Sequence, residues 1–254
     1  LYTQRYDKNF IEIQDFGNET VFKTLTKKGE NKLSYFNRII KLLIQIQSIK
    51  HRKVKNFRNQ NYIIPKYDKK ILINEANLFC DWYAKNNLSK LRKKRFCKKF
   101  KKIIKELTLK LKLKDNIFVH RDFHVSNLMS VKNQIGLIDS QDALIGNKAY
   151  DLASLIDDVR LKTSYSFKEK IFKFYTKKQK NLDIKKFKND FEILSVLRNL
   201  KIIGIFTRLA LRDRQKNYLR FIPYTWQLIN MRIDQNRTFI DLKNLLSQNF
   251  KKIK

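Results

Sequence analysis

Glycine, proline, cysteine and acidic residues are all scarce in this chain of 254 residues. With five glycines and two prolines, few positions interrupt a helix, so the chain should be rich in helices. The two cysteines, Cys80 and Cys97, lack the spacing of metal ligands and are expected to be reduced thiols, with no structural zinc site. An apolar fraction of 43% excludes a disordered chain.

Long apolar segments are also absent. No run of 18 apolar residues occurs, and the first six residues do not read as a signal peptide. The sequence therefore predicts a soluble, cytoplasmic protein without a membrane partner.

The shortage of acidic residues leaves 57 basic residues against 23 acidic ones, a formal charge of +34. Such an excess is typical of nucleic-acid-binding proteins, but here the lysines are spread along the whole chain. The densest basic stretch, Lys90 to Lys102, is expected to be a solvated helix face with Leu91, Phe96 and Phe100 turned inward. Nucleic acid is therefore a disfavoured partner, whereas the charge suits small anions such as a nucleoside triphosphate.

Hydrophobic spacing predicts a mostly helical chain with two short β segments. Strands are expected at residues 2–6 and 10–14, and again at 127–129 and 135–138. A long core helix is predicted from Phe191 to Asp213, where apolar residues recur at helical spacing.

The central β segment carries a pattern of residues that suits phosphoryl transfer. His120, Arg121 and Asp122 are followed after four residues by Asn127, and Asp139 ends the next predicted strand. Asp122 would accept or orient the proton of an acceptor hydroxyl, while Asn127 and Asp139 would hold magnesium ions that neutralise a triphosphate.

The same residue types also cap turns, which is the simpler interpretation of any one of them. Two of the three histidines, His120 and His124, lie in this one segment, and the spacing from Asp122 to Asn127 fits the catalytic-loop pattern without a gap. The combination favours the chemical interpretation.

Residues 120–129 and 138–143 resemble the aminoglycoside phosphotransferase and choline kinase superfamily. Within it, the chain is most similar to the bacterial anomeric N-acetylmuramate/N-acetylglucosamine kinases. The other stretches that carry this narrower resemblance are 11–17, 74–83, 146–155 and 200–223. The resemblance thus extends over most of the chain.

This resemblance implies an α+β, protein-kinase-like fold. Residues 17–254 would form the mostly helical C-terminal lobe with a small β insert, whose catalytic loop spans 118–142. Residues 1–16 would be the last strands of an N-terminal lobe and its hinge. ATP would be the co-substrate and Mg²⁺ the cofactor, with Asp122 as catalytic base.

The resemblance also implies roles for individual residues. Asn127 and Asp139 would be the magnesium ligands. Backbone groups of the hinge would meet the adenine, at Ile13, Gln14, Asp15 and Phe16. Seven further residues are candidates for contacting the acceptor or supporting the loop: His120, Arg121, His124, Asp142, Glu75, Arg208 and Arg212.

Two departures from the family pattern stand out. Ser140 occupies a position where the family usually has Phe, although the neighbouring carboxylate of Asp139 is retained. No pair of glycines could form a phosphate-covering loop, and no strand lysine precedes the hinge. We therefore expect a truncated sequence whose 254 residues alone would be inactive or feebly active.

Several functions remain open at this level. The implied acceptor is the anomeric hydroxyl of an amino sugar in cell-wall recycling, and the runners-up are an aminoglycoside, choline or another small alcohol. A non-catalytic pseudokinase would share the fold, but the intact Asp122, Asn127 and Asp139 speak against it. A basic helical domain that binds nucleic acid is the third alternative.

Overall fold

The structure is a computed structural model and describes residues 3–5, 10–27, 29–50, 52–55, 58–132 and 134–250. Helices dominate, and the strands pair two by two into four small antiparallel sheets within this described part. No described helix is long and apolar enough to cross a membrane.

The first part of the chain contains two hairpins separated by two helices. Its elements are β1 (Thr3–Arg5), β2 (Phe10–Glu12), α1 (Val21–Thr26), α2 (Lys32–Gln47), β3 (Lys53–Lys55) and β4 (Asn61–Ile63). The pairing of β1 with β2 confirms the strands predicted at 2–6 and 10–14, although residues 2 and 6 lie outside the described residues. The hairpin of β3 and β4 was not predicted, because both strands are short and exposed and carry no alternating pattern.

One nearly continuous helical segment follows. It runs through α3 (Lys69–Leu78), a π-helical turn (Phe79–Ala84), α4 (Lys85–Asn87) and α5 (Lys90–Leu109). Phe96 and Phe100 are buried as predicted, but Leu91 is 61% exposed and its predicted inward position is wrong. Leu91 lies five residues before Phe96, whereas only spacings of three or four place side chains on one helix face.

Four strands form the β insert: β5 (Asp115–Val119), β6 (Leu128–Val131), β7 (Gln134–Leu137) and β8 (Leu144–Asn147). The β6–β7 hairpin pairs Leu128 with Leu137, which confirms both strands predicted here. β8 pairs antiparallel with β5 and was not predicted, since Gly146 and Asn147 are weak strand formers and the pairing partner is 30 residues away in sequence.

The rest of the chain is helical. It contains α6 (Ala149–Ile156), α7 (Tyr165–Lys177), α8 (Ile184–Leu211), a 3₁₀ turn (Lys216–Phe221), α9 (Ile222–Ile233), a second 3₁₀ turn (Arg237–Phe239) and α10 (Ile240–Asn249). Helix α8 begins seven residues before the predicted start at Phe191. Asp183 explains this extension, because its carboxylate caps the helix by accepting a hydrogen bond from the Lys186 N–H at 3.0 Å.

Helix α8 belongs to both hydrophobic cores of the molecule. Its N-terminal half packs with α1, α2, α6 and α7 through residues such as Phe187 and Leu194. Its C-terminal half packs with α3, α5, α9 and α10 through Leu200, Ile203 and Phe206. The position of α8 therefore fixes the two cores relative to each other.

A buried ionic cluster reinforces this arrangement. Asp157, which follows α6, accepts hydrogen bonds from Ser195 of α8 at 2.5 Å and from Arg232 of α9 at 3.0 Å. Lys168 of α7 lies 3.3 Å from the same carboxylate. Burial opposes ionisation of Asp157, but these two cations outweigh it and lower its pKa. One carboxylate thus ties three helices together.

A close approach between α8 and α3 depends on glycine at position 204. A Cβ atom added to Gly204 would lie 2.4 Å from the carbonyl carbon of Leu78 and 2.7 Å from the amide nitrogen of Phe79. Because both neighbours are backbone atoms, neither can rotate away.

We therefore expect Gly204→Ala to lower the free energy of unfolding by about 1–3 kcal/mol, the usual cost of overpacking a core. Urea denaturation would measure it. Leu211→Ala, on an exposed position of the same helix, is the control and should change stability by less than about 0.5 kcal/mol. Equal effects of the two substitutions would contradict the close approach.

Candidate active site

Three buried apolar side chains anchor the loop between β5 and β6. Val119, Phe123 and Val125 are fully buried in the first core. The intervening residues Asp122 and His124 are thereby turned toward a pocket, which both of them line.

Asp151 braces the start of this loop from the first turn of α6. Its two carboxylate oxygens accept hydrogen bonds from the backbone N–H groups of His120 at 2.7 Å and Arg121 at 3.0 Å. Complete burial raises the pKa of Asp151 to about 7, against the opposing effect of these hydrogen bonds. The brace also holds Arg121 at φ 74°, a left-handed conformation that is costly for a residue other than glycine.

Asp158 braces the other end of the loop. One of its oxygens accepts a hydrogen bond from the Val125 N–H at 3.0 Å, and the other accepts one from the Arg160 N–H at the same distance. The Arg160 guanidinium lies 3.5 Å away. Burial opposes ionisation of Asp158, but the neighbouring His124 and Arg160 side chains and the hydrogen bond from the Arg160 N–H outweigh it and lower the pKa.

His120 links the loop to the end of the β6–β7 hairpin. Its ring is fully buried, and Nε2–H donates to the carbonyl of Ile138 at 3.0 Å. Burial lowers the pKa of this imidazole, which keeps it neutral at physiological pH. His120 therefore has the structural position expected from the sequence, and it fixes the residue that precedes Asp139.

Asp122, Asn127 and Asp139 converge on one pocket, as the sequence pattern predicted. Asn127 Nδ2 donates to the backbone carbonyl of Asp122 at 3.1 Å and lies 3.5 Å from Oδ2 of Asp139. Asp139 has φ 70°, another left-handed non-glycine residue, and Gln141 Nε2 donates to its second oxygen at 2.7 Å. The three side chains line a pocket of about 560 Å³.

Helix α8 supplies much of the facing wall of this pocket. Arg198, Lys201, Ile202, Ile205 and Leu209 recur at three- and four-residue spacing along one helix face. The remaining residues of this wall are Arg160, Phe206 and Tyr218. The pocket thus places two carboxylates among three cationic side chains and an apolar floor.

The cations keep Asp122 ionised. Its partial burial would raise the pKa, but the charges of Lys201 and Arg198 outweigh that effect and lower it. A carboxyl group must be ionised in order to orient a hydroxyl group and accept its proton.

His124 has the opposite character. Its ring is buried, and burial together with the charge of Arg160 lowers its pKa to about 4. The neutral imidazole lines the pocket beside Asp122 and adds no charge to it.

Glu75, on α3, holds two of the surrounding cations. Its carboxylate accepts from Arg121 at 2.5 Å and lies 2.9 Å from the ammonium of Lys201; the hydroxyl of Tyr67 also donates to it. Glu75 was predicted as a substrate-facing or supporting residue. Its position is a supporting one, because it is absent from the pocket lining and orients Lys201, which is present there.

The oxygens of Asn127 and Asp139 suit Mg²⁺, which prefers carboxylate and amide oxygens and usually keeps phosphate or water ligands as well. Within the described part of the chain, Oδ1 of Asn127 accepts no hydrogen bond, so it is free to bind a cation while Nδ2 holds Asp139. No described group of three or more His, Cys, Asp or Glu side chains is arranged to hold a metal. A metal here would therefore depend on ligands from the bound phosphates.

The pocket lining also lacks the side chains of three further candidates, Asp142, Arg208 and Arg212. Asp142 is exposed, and only its backbone carbonyl takes part, by accepting a hydrogen bond from Arg121 at 3.1 Å. Arg212 is exposed beyond the end of α8 and pairs with Asp213 at 2.7 Å. Arg208 lies on α8 but is absent from the pocket lining. The suggestion that Arg208 and Arg212 face the acceptor is not supported.

The predicted hinge runs beside the β6–β7 hairpin. The ring of Phe16 lies so close to Gly136 of β7 that a Cβ there would meet it at 2.8 Å. Further along, the Glu19 carbonyl accepts a hydrogen bond from the Ser130 N–H at 2.8 Å. Ile13, Gln14 and Asp15 are exposed, and none of the four hinge residues lines the pocket itself.

Arg160, Arg198, Asp158 and Lys201 were not predicted as site residues. The sequence contains a signal for Arg198 and Lys201. These two charges lie three residues apart inside the apolar helix stretch 197–201, where an unpaired charge is costly. Arg160 and Asp158 lie in an irregular segment, where no periodicity separates buried from exposed residues.

The comparisons with known proteins agree with this geometry. Residues 26–182, more than half of the chain, match the family model described as "Phosphotransferase enzyme family". The chain belongs to this family.

Its curated relatives include two bacterial proteins named N-acetylmuramate/N-acetylglucosamine kinase. The one from Neisseria meningitidis is 27% identical over 223 residues, which cover 85% of this chain and 65% of the relative. The one from Pseudomonas aeruginosa is 26% identical over 253 residues, which cover 97% of this chain and 72% of the relative. The chain therefore spans about two thirds of the length of these relatives.

Solved structures with the same fold include an ethanolamine kinase from Plasmodium vivax, at 14% identity and a TM-score of 0.57 over 89% of this chain and 68% of that one. An AMP-bound spectinomycin phosphotransferase has a TM-score of 0.55 at 13% identity, over 86% of this chain and 70% of that one. These likenesses establish a kinase-like α+β fold, which confirms the predicted fold class.

The Asp158 brace gives a testable prediction. Asp158→Asn should lower the free energy of unfolding by about 1–3 kcal/mol at pH 7, because the amide can accept only one of the two backbone hydrogen bonds and removes the charge that faces Arg160. Since the folded pKa of Asp158 lies below its ordinary value of 3.8, its contribution is fully present above that pH and is lost as the pH falls through the folded pKa. The stability difference between the two proteins should therefore shrink below about pH 3.8.

Urea denaturation at several pH values measures this difference, with Asp241→Asn, an exposed carboxylate on α10, as the matched control. The control should stay within about 0.5 kcal/mol of the unmodified protein. A difference that instead grew toward acid pH would show that Asp158 is not the ionised partner described above.

Proposed function

We propose that this protein transfers phosphate from ATP, with Mg²⁺, to a hydroxyl group of a small molecule. The observation that carries the proposal is the convergence of Asp122, Asn127 and Asp139 on one pocket in a chain of the phosphotransferase family. Carboxylate and amide oxygens at that spacing are the parts that phosphoryl transfer requires.

In this proposal Asp122 orients the acceptor hydroxyl and accepts its proton, a role that its lowered pKa supports. Asn127 and Asp139 would hold Mg²⁺, whose positive charge would offset the negative charge that develops on the transferred phosphate. Lys201, held by Glu75, contributes a further positive charge on the acceptor side of Asp122.

The proposal extends to the organisation of the chain. Residues 1–16 would belong to an ATP-binding lobe and its hinge, with backbone groups of Ile13 to Phe16 next to the adenine. Residues 17–254 would form the catalytic lobe. The contact of Phe16 with Gly136 supports this assignment, because it seats the hinge on the hairpin that carries Asn127 and Asp139 at its open end.

For the acceptor we propose the anomeric hydroxyl of N-acetylmuramate or N-acetylglucosamine, within cytoplasmic recycling of cell-wall sugars. The relatives' names suggest these sugars. The pocket supports them, since it combines polar groups with an aromatic pair, Phe206 and Tyr218, whose ring centroids are 5.1 Å apart. Such a mixed wall suits a sugar with both polar and apolar faces.

The alternative acceptors, aminoglycosides and choline, are cations. The acceptor wall presents Arg160, Arg198 and Lys201 and no carboxylate of its own, so a cationic ligand would meet like charge. A non-catalytic role is disfavoured because Asp122, Asn127 and Asp139 are all present and converge.

The first test is the replacement of the proposed base. Asp122→Asn should reduce turnover by about 10²–10⁴-fold, the usual contribution of general acid–base catalysis, and leave nucleotide binding nearly unchanged. ADP release by the protein in its full natural length measures turnover, and calorimetric titration with Mg-ADP measures binding. Asp81→Asn, exposed and outside the pocket, should retain full activity. Undiminished turnover in Asp122→Asn would refute the role of this residue.

The second test addresses the acceptor. In the same ADP-release assay, N-acetylmuramate and N-acetylglucosamine should be phosphorylated, while kanamycin and choline should give rates near background, because the cationic wall repels them. Turnover of kanamycin or choline well above that of both sugars would overturn the acceptor and leave the phosphotransferase chemistry standing.

A further inference from the structure

Arg198 is a buried cation without a direct hydrogen-bond or ion-pair partner among the described residues. Only 4% of its surface is exposed, yet its guanidinium makes no hydrogen bond to the described residues and no ion pair within 4 Å of them. Its Nη1 atom is completely enclosed and unsatisfied. A buried guanidinium without an anion is costly, so a feature of this kind indicates a missing ligand.

The other buried arginine of this helical region shows the contrast. Arg232 is 5% exposed, and it donates to the carboxylate of Asp157 from both Nε at 3.0 Å and Nη2 at 3.1 Å. A buried guanidinium with a purely structural role is therefore paired with a carboxylate in this fold. Arg198 differs in that it also lines the candidate active site.

The surroundings of Arg198 define what its ligand must be. Arg160 and Lys201 line the same pocket, and so does the neutral ring of His124. Lys201 pairs with Glu75 and Arg160 with Asp158, whereas Arg198 acts on Asp122 only at longer range and has no anion in direct contact among the described residues. An oxyanion that enters the pocket would complete it, and a planar carboxylate matches a guanidinium with two parallel hydrogen bonds.

We propose that Arg198 binds a carboxylate carried by the acceptor and thereby makes the protein prefer an acidic amino sugar to its neutral counterpart. This inference rests on the proposed function. Arg198 projects from α8 on the same face as Ile202 and Ile205, the acceptor wall, whereas the transferred phosphate would meet the metal held by Asn127 and Asp139. The metal would thus neutralise the transferred phosphate, and Arg198 would be the counter-ion of a carboxylate on the acceptor.

The two proposed sugars differ in the required feature. N-acetylmuramate carries a lactyl ether with one carboxylate, and N-acetylglucosamine has a hydroxyl in its place. Calorimetric titration of the protein in its full natural length should show tighter binding of the acid. Arg198→Gln should weaken binding of N-acetylmuramate by about 10- to 100-fold and change that of N-acetylglucosamine little, because a charged hydrogen bond is lost for the acid alone.

Two controls separate charge recognition from a structural effect. Arg198→Lys keeps the charge and should restore part of the preference for the acid. Arg212→Gln, on an exposed arginine just beyond the same helix, should leave both affinities unchanged. A ligand-side control needs no variant: the methyl ester of N-acetylmuramate should bind the unmodified chain about as weakly as N-acetylglucosamine.

The possible outcomes separate the two levels of the proposal. If neither sugar binds, the amino-sugar assignment fails, and this inference fails with it. If both sugars and the ester bind equally well, the role of Arg198 is wrong while the acceptor class stands. If Arg198→Gln leaves both affinities unchanged but lowers turnover equally for both sugars, Arg198 serves the transferred phosphate and the carboxylate proposal is overturned.

Discussion

Two buried carboxylates hold the loop on which the candidate site depends. Asp151 and Asp158 lie in α6 and just beyond it, and each accepts backbone N–H groups of the loop at 2.7 to 3.0 Å. A loop without regular secondary structure leaves its backbone amides unpaired, and in a buried position this would cost free energy. By accepting hydrogen bonds from these N–H groups, the two side chains stabilise the loop, including the left-handed conformation of Arg121. They thereby fix the direction in which the side chain of Asp122 points.

Buried acidic residues have the same structural role elsewhere in this chain, whose formal charge is +34. Asp190 accepts the backbone N–H groups of Lys112 and Leu113 at 2.8 Å and the amide of Asn147 at 2.7 Å. Asp157 joins three helices in a similar way. Several of the few carboxylates are therefore buried and structural, while the surplus lysines lie at the surface, where water solvates them. The net charge of the chain therefore does not indicate which charges line the candidate site.

Local patterns in the sequence were sufficient to predict the site's acidic half. The spacing from Asp122 to Asn127 lies within one loop, and Asp139 is placed by the hairpin that follows, so short-range geometry brings the three together. The same reasoning predicted the strands of that hairpin and the core helix α8. It failed for β8, whose partner β5 is distant in sequence, and for Leu91, where composition was mistaken for helical phase.

The basic half could not be predicted in this way, because its members come from separate parts of the chain. Arg160 follows α6, while Arg198 and Lys201 lie on α8, and only the packing of α8 brings them to the loop. Arg208 and Arg212 show the reverse case: they resemble site residues in sequence, but Arg208 is absent from the pocket lining beside Leu209, and Arg212 pairs with Asp213 after the helix ends. Helical phase alone does not say where along its length a helix passes an active site.

The pocket wall formed by α8 finally depends on how closely α8 approaches α3. Gly204 allows the two backbones to meet at Leu78, and one turn earlier Lys201 reaches Glu75 on α3. The ion pair of Glu75 with Lys201 holds the ammonium near Asp122, and the ion pair of Glu75 with Arg121 connects α3 to the loop between β5 and β6. A shift of α3 against α8 would move Lys201 and loosen Arg121 together. The helix contact therefore helps to keep Asp122 ionised, because Lys201 is the largest influence that opposes its burial and lowers its pKa.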